Sequence, residues 1–218
     1  MTLDFTVVPP YAGALALGTF WTILITLLAG TISLVAGTFI ALAQIFAPRW
    51  IRLAIVAPVF VITGTPLLLQ LFLVYYGLSQ LGIRLPAFWT GVVGLGLHYA
   101  VYNADILRAT ILSIDSGQSE AGRALGFGQG ATLRHFVLPQ ALYVSLPQIG
   151  NNIIVLLKDS VLLSSIGIME LVLSAQLAIS RSFRPFEFYI TVAVIFYVIN
   201  LALEWGFARV ARKTEAMR

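Results

Sequence analysis

Hydrophobic residues run along this chain in long blocks, separated by short charged or proline-containing breaks. Tyr11–Ala47 carries no charge over 37 residues, Leu53–Ile83 none over 31 and Leu85–Ala104 none over 20. Phe136–Leu157 and Phe188–Leu203 complete the set. Charge-free runs of about 18 residues or more are long enough to cross a bilayer as helices. Five crossings are predicted, at approximately 14–47, 53–78, 87–107, 148–170 and 188–210. The first run is too long for one perpendicular crossing, since 37 helical residues would reach about 55 Å against a hydrocarbon core of about 30 Å. Either part of Tyr11–Phe20 lies along the outer interface or the helix tilts strongly.

Local chemistry modifies each span. Thr19, Thr22, Thr26, Ala29, Ser33 and Ala36 recur at spacings of three and four, a stripe of small side chains that lets a neighbouring backbone approach. In the second span, Thr63-Gly64-Thr65-Pro66 predicts a bend near Thr63, with threonine hydroxyls satisfying freed carbonyls. The third span ends with His98, Tyr99, Tyr102 and Asn103, then Asp105 and Arg108, which can share a helix face as an ion pair. Pro139 and Pro147 delay the fourth span to about Gln148–Glu170, which sets Lys158 and Asp159 near mid-membrane; a start at Ala141 would move them towards the outer end. Ionisable groups at that depth are expensive and mark a pathway or a partner. The fifth span carries Asn200 and Glu204 in its inner half.

Composition agrees with an integral membrane protein: 59% of residues are hydrophobic and 10% charged, against roughly a quarter charged in soluble domains. The absence of cysteine excludes disulfides and thiolate metal sites. The net charge of +4 comes without a basic aromatic stripe, so membrane topology explains it better than nucleic acid does. Arg49 and Arg52 follow the first span, which places the N-terminus outside and, after five crossings, the C-terminus inside beside Arg209, Arg212, Lys213 and Arg218. No phosphate loop, metalloprotease or serine-hydrolase signature is present, so neither a catalytic site, a metal site nor a bound cofactor is expected.

Between the third and fourth spans, Glu120–Pro139 forms a polar, glycine-punctuated island within a loop at 113–141. Two spans can be joined by far fewer residues. Asp115 or Ser116 can cap a helix over Gln118–Leu125, and Gly126 suits the left-handed position that ends it. Ala131–Leu138 then predicts a second short helix stopped by Pro139. The island is a candidate docking surface.

Glu120-Ala121-Gly122, then three residues, Gly126, then nine residues, then Phe136-Val137-Leu138-Pro139, resembles the EAA motif of ABC importer permeases. That pattern reads EAA-x3-G-x9-I-x-LP; Gly122 stands for the second alanine and Phe136 for the isoleucine. Gly64–Gln70 resembles the RGTPLLVQ segment of permeases for polar amino acids (the HisM/HisQ-like group), with Thr63 where arginine is common. Leu157–Leu162 resembles that group's LLKDTSL, and Phe183–Glu187 its FRPFE.

The resemblance implies a single all-α transmembrane domain over 1–218, of the type I importer fold. It implies a permease subunit in a bacterial inner membrane, paired with an identical or paralogous second permease. Two ATPase subunits would bind ATP and magnesium below, and a periplasmic or surface-anchored binding protein would deliver solute. The EAA element, with Glu120, Ala121, Gly122, Arg123, Gly126, Leu138 and Pro139, would couple to the ATPase. A zwitterionic amino acid needs groups for both of its charges, so Lys158, Asp159, Ser160 and Glu170, with Gln70 and Tyr102, are pathway candidates. Lys158 and Asp159 could instead lock interhelical contacts or the subunit interface, and Glu170 could sit exposed at the outer end, facing the binding protein. The alternative function is an ion-gradient-driven carrier of small polar solutes, which commonly shows inverted repeats.

Overall fold

The computed structural model describes residues 3–215, with side chains through Arg212. Arg218 and the side chain of Lys213, both assigned to the basic C-terminus, lie outside the described residues. After two single turns at Phe5–Val7 and Pro9–Tyr11, the chain forms α1 (Ala12–Phe46), α2 (Arg49–Gly64), α3 (Leu67–Gln80) and α4 (Ala87–Ser113). Then follow α5 (Ser116–Ala124), α6 (Gln129–Ile166), α7 (Leu171–Ser182) and α8 (Pro185–Glu215). Among the described residues there are no strands. By length and apolarity α1, α6 and α8 can each cross a membrane, and the broken pair α2–α3 can supply a fourth crossing. The long helix α4 is more polar because it carries His98, Tyr99 and Asn103, all buried inside the bundle.

The α1–α4 contact is the largest between helices, and the small-residue stripe explains it. Thr22, Thr26, Ala29 and Ser33 are buried, together with Gly18, Gly30 and Gly37. A Cβ on Gly37 would stand 2.8 Å from the Ala100 carbonyl oxygen, so the backbones nearly touch there. Thr22 and Thr26 bond back to carbonyls four residues earlier. A polar stitch crosses three helices: Asn103 Nδ2 donates to Ser33 Oγ at 3.1 Å, and Asn152 Nδ2 donates to Asn103 Oδ1 at 3.0 Å. Ile25, Leu71, Val92, Leu95, Leu156 and Leu163 belong to the main apolar core. No interfacial segment separates from the first run, because α1 is one helix of 35 residues from Ala12 onward.

The expected bend in the second span is a break. α2 and α3 meet at 112° around Thr65 and Pro66. Thr63 Oγ1 donates to the carbonyls of Val59 and Phe60, and Thr65 Oγ1 to that of Val61. Gln70 Nε2 completes the joint by donating to Ile62 O at 2.8 Å and Thr65 O at 2.9 Å.

Two proline expectations need correction. Neither Pro139 nor Pro147 delays the fourth span: α6 begins at Gln129 and runs without interruption to Ile166. A π-helical turn over Leu133–Val137 shifts the hydrogen-bond register just before Pro139, which sits at the start of the regular helix that follows. There the missing proline donor coincides with a bond that the register shift already forgoes. Pro147 is accommodated within the helix. Asp105 and Arg108 do not pair either; among the described residues the one ion pair within 4 Å joins Arg184 to Glu187 at 3.6 Å.

Candidate functional site

The polar island folds as a capped helix on the surface. Asp115 is the N-cap of α5, accepting from the Gly117 N–H at 2.7 Å. At the other end Gly126 adopts φ +86°, the left-handed region where a side chain is penalised. Phe127 N–H donates to Gly122 O at 3.1 Å and Gly126 N–H to Arg123 O at 2.9 Å, the paired bonds of a Schellman ending. The second predicted helix has no separate existence, because Gln129–Val137 is the first part of α6.

Of the coupling candidates, Glu120, Ala121 and Arg123 are exposed on α5, and Gly122 is its single buried residue. A Cβ on Gly122 would come within 2.8 Å of Thr132 Cγ2, so this glycine is where α5 seats on the root of α6. Gln140 Nε2 adds a second tie, donating to Gln118 Oε1 at 3.0 Å and to Phe136 O at 2.7 Å. Leu138 and Pro139 lie half-buried beyond the π turn. Leu125, 70% exposed, and Phe127, 40% exposed, project apolar surface at the tip. Sequence reasoning did not single out these two, although hydrophobic residues flanking Gly126 in a polar loop were a usable signal. Capped ends, two ties to α6 and an exposed outer face make α5 a surface helix fastened to α6.

A second group of polar side chains lies within the bundle. Gln70 Oε1 is 3.0 Å from His98 Nδ1. The His98 ring packs against Tyr99 and Tyr102, with centroids 5.4 and 5.2 Å away. Tyr99 O–H donates to Asp159 Oδ2 at 2.6 Å. Tyr99 lies at the middle of α4, so this cluster is at mid-depth of the bundle. The structure therefore gathers Gln70, Tyr102 and Asp159 around His98 and Tyr99. Lys158 is exposed on the adjacent position and pairs with no carboxylate within 4 Å among the described residues.

Ser160 and Glu170 stand apart from this group. Ser160 is fully buried with its hydroxyl donating to Leu157 O. Glu170 is fully buried too, rather than exposed at the outer end. Its carboxylate caps α7 by accepting from Val172 N–H at 2.9 Å and Leu173 N–H at 2.8 Å. Thr22 Oγ1 takes the next free donor, Leu171 N–H, at 3.1 Å. The partner of Asp159 is 60 residues away in the chain, and no local pattern announces it.

Residues 31–216, most of the chain, match the family described as the binding-protein-dependent transport system inner membrane component. The chain belongs to this family. It is thus a permease subunit of an ABC importer, and the family displaces the ion-gradient carrier as a reading. The permease is 36% identical over 220 residues to the arginine transport system permease protein ArtQ of Bacillus subtilis (strain 168), covering 99% of each chain. It is 41% identical over 143 residues to the probable amino-acid ABC transporter permease protein PatM of Vibrio harveyi, covering 64% of each. A crystal structure of an amino acid ABC transporter with histidines contains a chain that superposes with TM-score 0.90 at 39% identity. That match covers 98% of the permease and all of the solved chain, 100%.

Proposed function

We propose that this permease forms half of the pathway of an ATP-driven importer for polar amino acids, and that α5 is the helix through which the partner ATPase drives it. The observation that carries the coupling role is the doubly capped, outward-facing α5 with its motif glycine at φ +86°. ATP binding closes the ATPase pair; α5 carries that motion through Gly122–Thr132 and Gln118–Gln140 into α6, whose far half holds Asp159. Nucleotide free energy belongs to the partners, and this chain contributes two packings whose balance they shift. ATP and magnesium are bound by those partners. A second permease, identical or paralogous, closes the pathway, and a binding protein delivers solute from the side opposite α5.

For the solute we assign the Gln70–His98–Tyr99–Tyr102–Asp159 cluster, with Lys158 beside it. The Asp159 carboxylate suits an ammonium group, and the Tyr102 phenol and Lys158 ammonium suit a carboxylate, while Gln70, whose amide donors are held by Ile62 O and Thr65 O, orients His98. One named relative is an arginine transport permease and another a probable amino-acid permease, which supports this solute class.

The test uses the reconstituted transporter with its ATPase and binding protein. Gly126→Val should abolish the stimulation of ATP hydrolysis by loaded binding protein while leaving basal hydrolysis in place. Unchanged stimulation would remove α5 from the coupling path. Asp159→Asn should lower uptake while leaving stimulation largely intact; unaltered uptake would move the solute site elsewhere.

A further inference from the structure

We propose that the cavity where α1, α2 and α4 meet is a binding site for the headgroup of an anionic phospholipid. The cavity has a volume of about 410 Å³, and Arg49 and Arg52 of α2 and Arg108 of α4 converge on it. Gln44 and one carboxylate, Asp105, complete its polar wall. Among the described residues none of these arginines is within 4 Å of a carboxylate oxygen. Three arginines around a single carboxylate leave the cavity with an excess of positive charge, and a phosphate placed between them lowers that repulsion. The start of α2 adds backbone donors, because its N-cap is Pro48 and no side chain caps it.

The other wall shows which phosphate fits. Leu53 and Val56 line the same cavity, and Phe60 continues their stripe along α2 with 77% exposure. α2 buries none of its residues, so this apolar track lies open along its length. The cavity is at the end of the bundle that carries α5, since the same ends of α1 and α4 wall a second cavity with Ser119 and Arg123 of α5. Trp50, 71% exposed beside the arginines, is the type of side chain that settles at a membrane surface. A phospholipid fills both parts, phosphate among the arginines and acyl chain against Leu53, Val56 and Phe60. A soluble phosphate would use the arginines and leave the apolar track bare. The proposal needs only the chain's place in a membrane and is independent of the solute it carries.

The intact transporter, reconstituted in nanodiscs of equal phosphatidylglycerol and phosphatidylcholine, is released for native mass spectrometry and its retained lipids are counted. Wild type should retain phosphatidylglycerol in preference to phosphatidylcholine, and Arg52→Gln or Arg108→Gln should each lower that preference about fivefold. Arg52→Lys should keep most of it. Equal retention of both lipids by wild type overturns the site, and this comparison decides even if a glutamine variant fails to assemble. Loss of the retained phosphatidylglycerol on adding inorganic phosphate assigns the arginines to a soluble anion and also overturns it. So does a disulfide between Phe60→Cys residues of two permease copies, which would make this face a subunit contact.

Discussion

Helices α5 and α7 are built by the same local rules and placed in opposite surroundings. Each is short, each opens on an acidic cap (Asp115 and Glu170), and each closes on a left-handed residue, Gly126 at φ +86° and Phe183 at φ 56°. α5 buries one residue, Gly122, and keeps its cap in solvent. α7 buries Leu171, Ser174, Ala175 and Ala178 against α1 and α8, and its cap is wholly enclosed. Capping therefore decides where a helix starts and stops, while burial decides whether it is a wedge fixed in the bundle or, as proposed for α5, a lever on its surface. The wedge is held by apolar area and a buried carboxylate; the lever is held by one close contact and one side-chain bond.

The strongest way to break this contrast is to remove the buried cap. Glu170→Ala leaves the Val172 and Leu173 amides without their acceptor inside the bundle, which should cost about 3 kcal/mol. The thermal midpoint of the purified permease should fall clearly, and Glu170→Gln should recover part of the loss. An unshifted midpoint for the alanine variant would mean that α7 is not anchored by its cap.

A smaller effect is expected at the seat of the lever. Gly122→Ala puts a methyl group 2.8 Å from Thr132 Cγ2 and should cost about 1–2 kcal/mol, felt mainly as weaker coupling. Thr132→Ser removes that methyl partner, so the double variant should regain binding-protein stimulation of ATP hydrolysis. If the two substitutions simply add, Gly122 does not seat α5 against Thr132.

The smallest effects separate the two left-handed ends. Phe183 occupies a conformation that favours glycine, and the residue is 84% exposed. Phe183→Gly should raise stability by up to about 1 kcal/mol, whereas Gly126→Ala should lower it by about 1 kcal/mol. Thermal unfolding of the two variants reads the signs. A destabilised Phe183→Gly would show that the ring is held by contacts outside this chain.

Much of the lever could be read from neighbouring residues. Asp115, Gly126 and the spacing to Leu138-Pro139 lie within one loop, and their capping geometry depends on atoms a few positions apart. The proline rule misjudged the start of α6, because a π turn at Leu133–Val137 changes the register in a way no single residue announces. The pairings Gln70–His98 and Tyr99–Asp159 were hidden for a different reason: they depend on how three helices are rotated and at what depth they cross.

By itself the sequence determined the apolar blocks, the caps of α5 and the family spacing. Each follows from hydropathy or from hydrogen bonds between near neighbours, which a linear string records in full. Only the tertiary structure decided that Glu170 is enclosed, that Gly122 meets Thr132 and that three arginines share one cavity. Those outcomes rest on packing between segments distant in the chain, where a shift of one helical turn exchanges every partner.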